Sequence, residues 1–122
     1  MDNEFGIFLR KKRKENKFTV RVFADLIGKS SSYVSQLECG FRVAPKEELL
    51  RIIAKVLSLD GAEREEFFDL AAISRESVPK DLTDYIIAHP NVKETIRLSK
   101  NCKISEKEWS DFAKSIKEKY SF

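Results

Sequence analysis

The chain is poor in the residue types that most often carry catalysis or hold a metal. It has one histidine, His89, directly before Pro90, and one tryptophan, so no histidine pair can form. Only two cysteines occur, Cys39 and Cys102, and nothing accompanies either at metal-ligand spacing. Two thiols in a chain without an export signal read as reduced cytosolic residues and not as a disulfide. Four glycines supply no phosphate-cradling loop. No apolar run approaches the ~18 residues of a membrane helix. Met1–Lys14 places its cations after its apolar residues, the reverse of a secretory leader. The expectation is a cytoplasmic protein with no catalytic residues, no metal, no cofactor and no membrane partner.

What is present fits 122 residues of one domain, or one small domain with an appendage. The hydrophobic set is 42%, enough for a modest core, and the 35% charged residues make the distribution of charge worth reading. Residues 1–56 carry 12 basic and 7 acidic side chains, whereas residues 57–122 carry 11 and 13. A basic first half beside a mildly acidic remainder points to a polyanion partner for the first half alone.

Strand signals are almost absent and apolar residues recur at spacings of three and four, so the fold class is all-α. Asn3 is placed to cap a first helix in which Phe5, Phe8, Leu9 and Lys12 or Arg13 share a face. Thr19 caps a second, Val20 to Ile27, ended by Gly28; Ser30 caps a third, Ser31 to Glu38, ended by Gly40. Pro45 occupies the first turn of a fourth helix, which buries Leu49, Ile52, Ile53, Val56 and Leu57. Asp60 and Glu63 form a capping box for a fifth, with Phe67, Leu70 and Ala71 inward. Ser77-Val78-Pro79 reads as a turn or linker, dividing a domain at 1–76 from a helical extension at 77–122. In the extension, Asp81–Ala88 and Val92–Leu98 are helical pieces. Ser105 and Glu108 form a second capping box before a helix carrying Trp109, Phe112, Ala113, Ile116 and Tyr120 on one stripe.

The segment Thr19–Gly40, TVRVFADLIGKSSSYVSQLECG, sets two short helices around a glycine-containing turn, with small Ala24 where they must approach. It is followed by Gly40, Phe41-Arg42 and Pro45, preceded by FLRKKR at Phe8–Arg13, and succeeded by LLRIIAKVLSL at Leu49–Leu59. Over about Glu4 to Ala72 the chain resembles the lambda-repressor-like, or Xre, family of DNA-binding domains. The resemblance implies a five-helix lambda-repressor-like bundle, here with a short helical C-terminal extension.

The same resemblance implies roles for single residues. The second helix of the motif enters the major groove, which places Ser31, Ser32, Ser35 and Gln36 at base edges. Gln36 is the strongest candidate, since an amide can pair bidentately with adenine, while a serine hydroxyl discriminates less and also serves as a cap. Arg10, Lys17, Arg21, Lys29, Arg42 and Lys46 are candidate phosphate contacts; Tyr33 either reaches a phosphate or packs. Lys11 and Lys14 read as a solvated face. Arg13 and Glu38 are implied as a structural pair joining the first helix to the recognition helix. One departure stands out: Val20 and then Arg21 follow the cap Thr19, where relatives often carry a phosphate-binding glutamine. Cys39 reads as inert for want of an activating neighbour.

One such module reads too little sequence, so two half-sites and a homodimer are expected. The extension dimerises, braces the bundle or binds another protein; Leu82, Tyr85, Ile86 and the Trp109–Tyr120 stripe supply apolar area. Two functions compete. One is a sequence-specific transcriptional regulator, a repressor, since occluding a promoter needs only binding. The other is an antitoxin that holds a toxin through its tail and autoregulates its operator.

Overall fold

Two hydroxyls and two glycines frame the centre of the first half. Thr19 Oγ1 accepts from the Val22 N–H and Ser30 Oγ from the Tyr33 N–H, each relieving an orphan donor at a helix start. Gly28 and Gly40 close the same helices in the left-handed region, at φ 72° and 81°. The structure is a computed structural model and describes residues 3–76, 78 and 80–120. Among these residues all regular structure is helical: α1 Glu4–Glu15, α2 Val20–Ile27, α3 Ser31–Cys39, α4 Glu47–Val56, α5 Gly61–Ser74, α6 Lys80–Ala88, α7 Pro90–Asn101 and α8 Glu106–Tyr120. Ser77 and Pro79 of the expected linker lie outside the described residues. Backbone contacts divide the chain into two compact units, Met1–Thr83 and Asp84–Phe122, with the division falling within α6.

In the N-terminal unit, α1 lies against α3 and α5, α2 against α3 and α4, and α4 against α5. Phe23, Phe67, Leu9, Leu37, Ile53 and Val34 are the largest fully buried side chains. Phe67 is the hub of an aromatic group, its ring centroid 5.4 Å from Phe5, 6.0 Å from Phe8 and 5.5 Å from Phe68. Such tilted and edge-on pairs add to the area they remove from water.

Four local expectations are corrected. Asn3 stands at the N-cap of α1 as expected but makes no side-chain cap bond; its Nδ2 donates instead to the Glu38 carbonyl at 2.7 Å, satisfying an orphan acceptor at the end of α3. Pro45 precedes the cap of α4, which is Lys46, because the Ala44-Pro45 pair is itself buried in the loop before the helix. The inward face of α4 is Leu50, Ile53, Ala54 and Leu57, while Ile52 is 47% exposed and Leu49 and Val56 are half-buried. Residues 49–57 are apolar enough to suit two phases, and packing against α2 and α5 selects the second. Asp60 stands at the N-cap of α5 but makes no side-chain cap bond, and the reciprocal half of the box is missing because the Glu63 carboxylate is turned to the Lys12 ammonium, a charge-assisted partner.

The C-terminal unit is held by local devices. Pro90 stands at the first position of α7, where its missing N–H costs nothing, and the helix runs beyond the expected Val92–Leu98 at both ends. Ser105 and Glu108 form a reciprocal capping box: each backbone N–H donates to the other's side chain at 3.1 Å. From Asp84 onward no described residue is fully buried, and Trp109 is half-buried with Phe112 6.2 Å away between ring centroids.

Candidate nucleic-acid interface

α3 turns ~100° per residue, so inward and outward side chains separate cleanly. Val34 and Leu37 face the core at 0% exposure. Ser31, Ser32 and Ser35 point to solvent on the opposite side, with Gln36 half-buried at the edge of the same stripe and Cys39 exposed on it.

The helix is fixed by α1 at close range. Arg13 grips Glu38 with both arms, Nε to Oε2 at 2.7 Å and Nη2 to Oε1 at 3.0 Å. Its remaining nitrogen donates to the Phe18 carbonyl at 2.8 Å, so one guanidinium joins α1, the α1–α2 turn and α3. Both side chains are nearly buried, 9% and 6% exposed, a placement that only such full hydrogen bonding makes tolerable. The bond to Glu38 raises the Arg13 pKa above its ordinary range, against the lowering effect of burial. Gly6 permits the approach of the two helices, since a Cβ there would lie 2.5 Å from the Leu37 carbonyl oxygen. Asn3 adds its bond to the Glu38 carbonyl at the same end.

The cations separate into two sets. Lys12 turns inward, paired with Glu63 and with Glu15, and these bonds raise its pKa, the Glu63 bond most, while burial opposes them. Arg10, Lys17, Arg21, Lys29, Arg42 and Lys46 are exposed, as are Lys11 and Lys14. Lys17 holds a left-handed φ of 59° in the turn after α1. Val20 is half-buried against the core, which accounts for an apolar residue after the Thr19 cap. Arg21 next to it is exposed.

Beside α3, Tyr33 is half-buried between two cations. Lys29 Nζ lies 5.3 Å and the Arg42 guanidinium 5.0 Å from the ring centroid. Burial raises the Tyr33 pKa and the charge of Arg42 partly offsets it. Arg42 Nε also donates to Gln36 Oε1 at 2.8 Å. The loop carrying Arg42 is fastened from the far end of α5: Ser74 Oγ accepts from the Ala44 N–H at 2.9 Å, and Arg75 Nη1 donates to the Ala44 carbonyl at 3.0 Å. Lys29, Tyr33, Arg42, Lys46 and Arg75 line a shallow depression of about 360 Å³ there. Sequence reasoning missed Asn3, Gly6, Ser74 and Arg75 in these roles. All four act on residues at least 30 positions away, as Asn3 does on Glu38 and Ser74 on Ala44, or by backbone proximity that no local pattern encodes.

A solvated helix face framed by exposed cations and held rigidly from behind suits a polyanion with readable edges. The chain belongs to the helix-turn-helix domain family, whose model matches residues 4–67. That membership implies a DNA-binding regulator and is consistent with the Xre, lambda-repressor-like kind. No curated protein and no solved structure matches the chain. Among the described residues no cluster of His, Cys, Asp or Glu could hold a metal ion, and no helix is long and apolar enough to cross a membrane.

Proposed function

We propose that the protein is a sequence-specific double-stranded DNA-binding transcriptional repressor of the cytoplasm, reading the major groove with α3 as a homodimer on two half-sites. One observation carries this reading: Ser31, Ser32, Ser35 and Gln36 form an outward stripe on a helix whose other side is locked by Val34 and Leu37. Those four residues meet base edges, and Arg10, Lys17, Arg21, Lys29 and Lys46 meet phosphates on either side. The bundle of residues 1–76 is the DNA-binding part, and the extension of residues 77–122 supplies assembly. The Arg13–Glu38 pair presents the helix to DNA and makes no contact with it.

An alternative reading, an antitoxin, draws on the exposed apolar side chains of the C-terminal unit, among them Ile87, Leu98, Phe112 and Tyr120. They suit a protein partner as well as a second copy.

Selection of duplexes from a random pool, followed by a salt titration on the winner, tests the regulator. The expected consensus is a two-fold-symmetric pair of half-sites. Affinity is expected to fall by roughly 10³–10⁵ between about 50 and about 200 mM salt, as for a protein that neutralises ~6–10 phosphates. No enriched sequence, or a flat salt response, defeats the proposal.

A further inference from the structure

Arg42 has the charge and loop position of a sequence-blind phosphate contact, yet its side chain is turned back onto the recognition helix. Three features hold it there. The loop is fastened at Ala44 by Ser74 and Arg75. The guanidinium rests on the negative face of the Tyr33 ring, 5.0 Å from its centroid. Nε donates to Gln36 Oε1 at 2.8 Å. We infer that Arg42 is a specificity-determining residue, and that Gln36 and Arg42 together form one reading unit that selects guanine. The inference rests on the proposed DNA-binding function and deepens it.

The choice of guanine follows from counting donors and acceptors. Gln36 alone offers one acceptor oxygen and an NH₂ group, the complement of adenine. With one lone pair of Oε1 given to Arg42, the amide keeps both N–H donors and half of its accepting capacity. The guanidinium keeps the four N–H bonds of its terminal nitrogens. The pair is therefore rich in donors, and the base edge that presents two acceptors in the major groove is guanine, through N7 and O6. Because the two side chains already brace each other, less side-chain freedom is lost on binding than for a free arginine. Arg42→Lys cannot substitute, since a single ammonium offers no Nε–H to Gln36 while a fork remains for the base.

Duplex selection on the full-length protein, repeated with Gln36→Ala, Arg42→Ala, Arg42→Lys and the double variant, decides this. The expected wild-type consensus contains a guanine at a position where each single alanine variant loses roughly tenfold to a hundredfold discrimination. The double variant loses no more than either single one. Arg42→Lys behaves as Arg42→Ala, and replacing that guanine by 7-deazaguanine weakens wild type but not Arg42→Ala. If Arg42→Ala weakens all duplexes equally and leaves base preference intact, Arg42 is a phosphate contact and the inference fails alone. If Gln36→Ala relaxes preference for an adenine, the reading unit is Gln36 without Arg42, and the inference fails again. If wild type enriches no sequence at all, the DNA-reading function itself falls, and this inference with it.

Discussion

Both units of the chain are made of short helices, but among the described residues only the N-terminal one has an interior. Five of its helices contribute side chains to one continuous buried cluster, from Phe5 on α1 to Ala71 on α5. In the other, α7 and α8 start on a proline and a capping box as clear as any cap in the bundle, yet Phe112 stays 55% and Tyr120 63% exposed. The contrast separates two things that are often merged. Capping and patterning specify where a helix forms, whereas burial specifies whether it is held. Helices of 12 and 15 residues such as α7 and α8 are marginal in water by themselves. A unit with good caps and exposed apolar side chains is therefore suited to gain stability from a further surface, and the proposal that it serves assembly grows from that difference.

The largest expected effect tests whether the interior belongs to the N-terminal unit. Phe67 is wholly buried among Phe5, Phe8 and Phe68, so Phe67→Ala removes a side chain that the surrounding rings cannot replace. The expected loss is ~3–5 kcal/mol of unfolding free energy by urea titration. A loss under about 1 kcal/mol would mean that the aromatic group is loosely packed.

Next is the ionic tie between α1 and α3. Glu38→Ala leaves the Arg13 guanidinium nearly buried with only the Phe18 carbonyl as partner. The expected cost is about 3 kcal/mol, at the lower end for an orphaned charge because one hydrogen bond survives. Replacing both residues together, Arg13→Met with Glu38→Leu, should restore much of that stability but impair DNA binding if the pair sets the angle of α3. Full binding by the double variant would assign the pair to stability alone.

A smaller effect is expected at alkaline pH. The hydrogen bond to Glu63, helped by Glu15, raises the Lys12 pKa above 10.5 in the folded chain. The unfolded chain therefore releases this proton first as pH rises, so the folded state binds more protons between the two values and loses stability there. The Lys12 contribution is fully present below 10.5 and disappears as pH passes the raised folded value. Urea midpoints of wild type and Lys12→Met, compared at about pH 8 and about pH 11, should converge at the higher pH. A gap that stays constant would show that the ion pairs of the Lys12 ammonium are not what sets it.

How much of this was legible from sequence depends on the range of each interaction. The caps at Thr19 and Ser30, the glycines 28 and 40 and the Ser105–Glu108 box act within three or four residues and were readable in order. Asn3 and Asp60 carry equally good local signals, but each belongs to a helix whose neighbour offers competing chemistry: an orphan carbonyl at Glu38, and the Lys12 ammonium drawing away Glu63. In α4 the apolar residues are too many to define one face, so the tertiary partners chose it. At the interface, the outward stripe of α3 could be read from helical periodicity and the family resemblance. The turn of Arg42 toward Gln36 could not, because it depends on Ser74 and Arg75 fastening a loop 30 residues earlier in the chain.

The smallest effect on stability is expected in the C-terminal unit, where it is most informative about assembly. Phe112 lies mostly in solvent, so Phe112→Ala should change the unfolding free energy by less than about 0.5 kcal/mol. If its ring instead meets a second copy, the same substitution removes apolar area from an interface and shifts the dimer to higher concentration. Trp109 reports on this directly, being the single tryptophan and standing 6.2 Å from Phe112 between ring centroids. Its emission should move to shorter wavelength as protein concentration is raised through the monomer–dimer transition, because association takes the indole further from water. Phe112→Ala should displace that transition to higher concentration while leaving the folded baseline unchanged, and sedimentation should show the same displacement. Emission independent of concentration in wild type, beside a dimer seen by sedimentation, would move the contact to the N-terminal unit. The exposed stripe of α8 would then be left for a different protein, which is the arrangement an antitoxin requires.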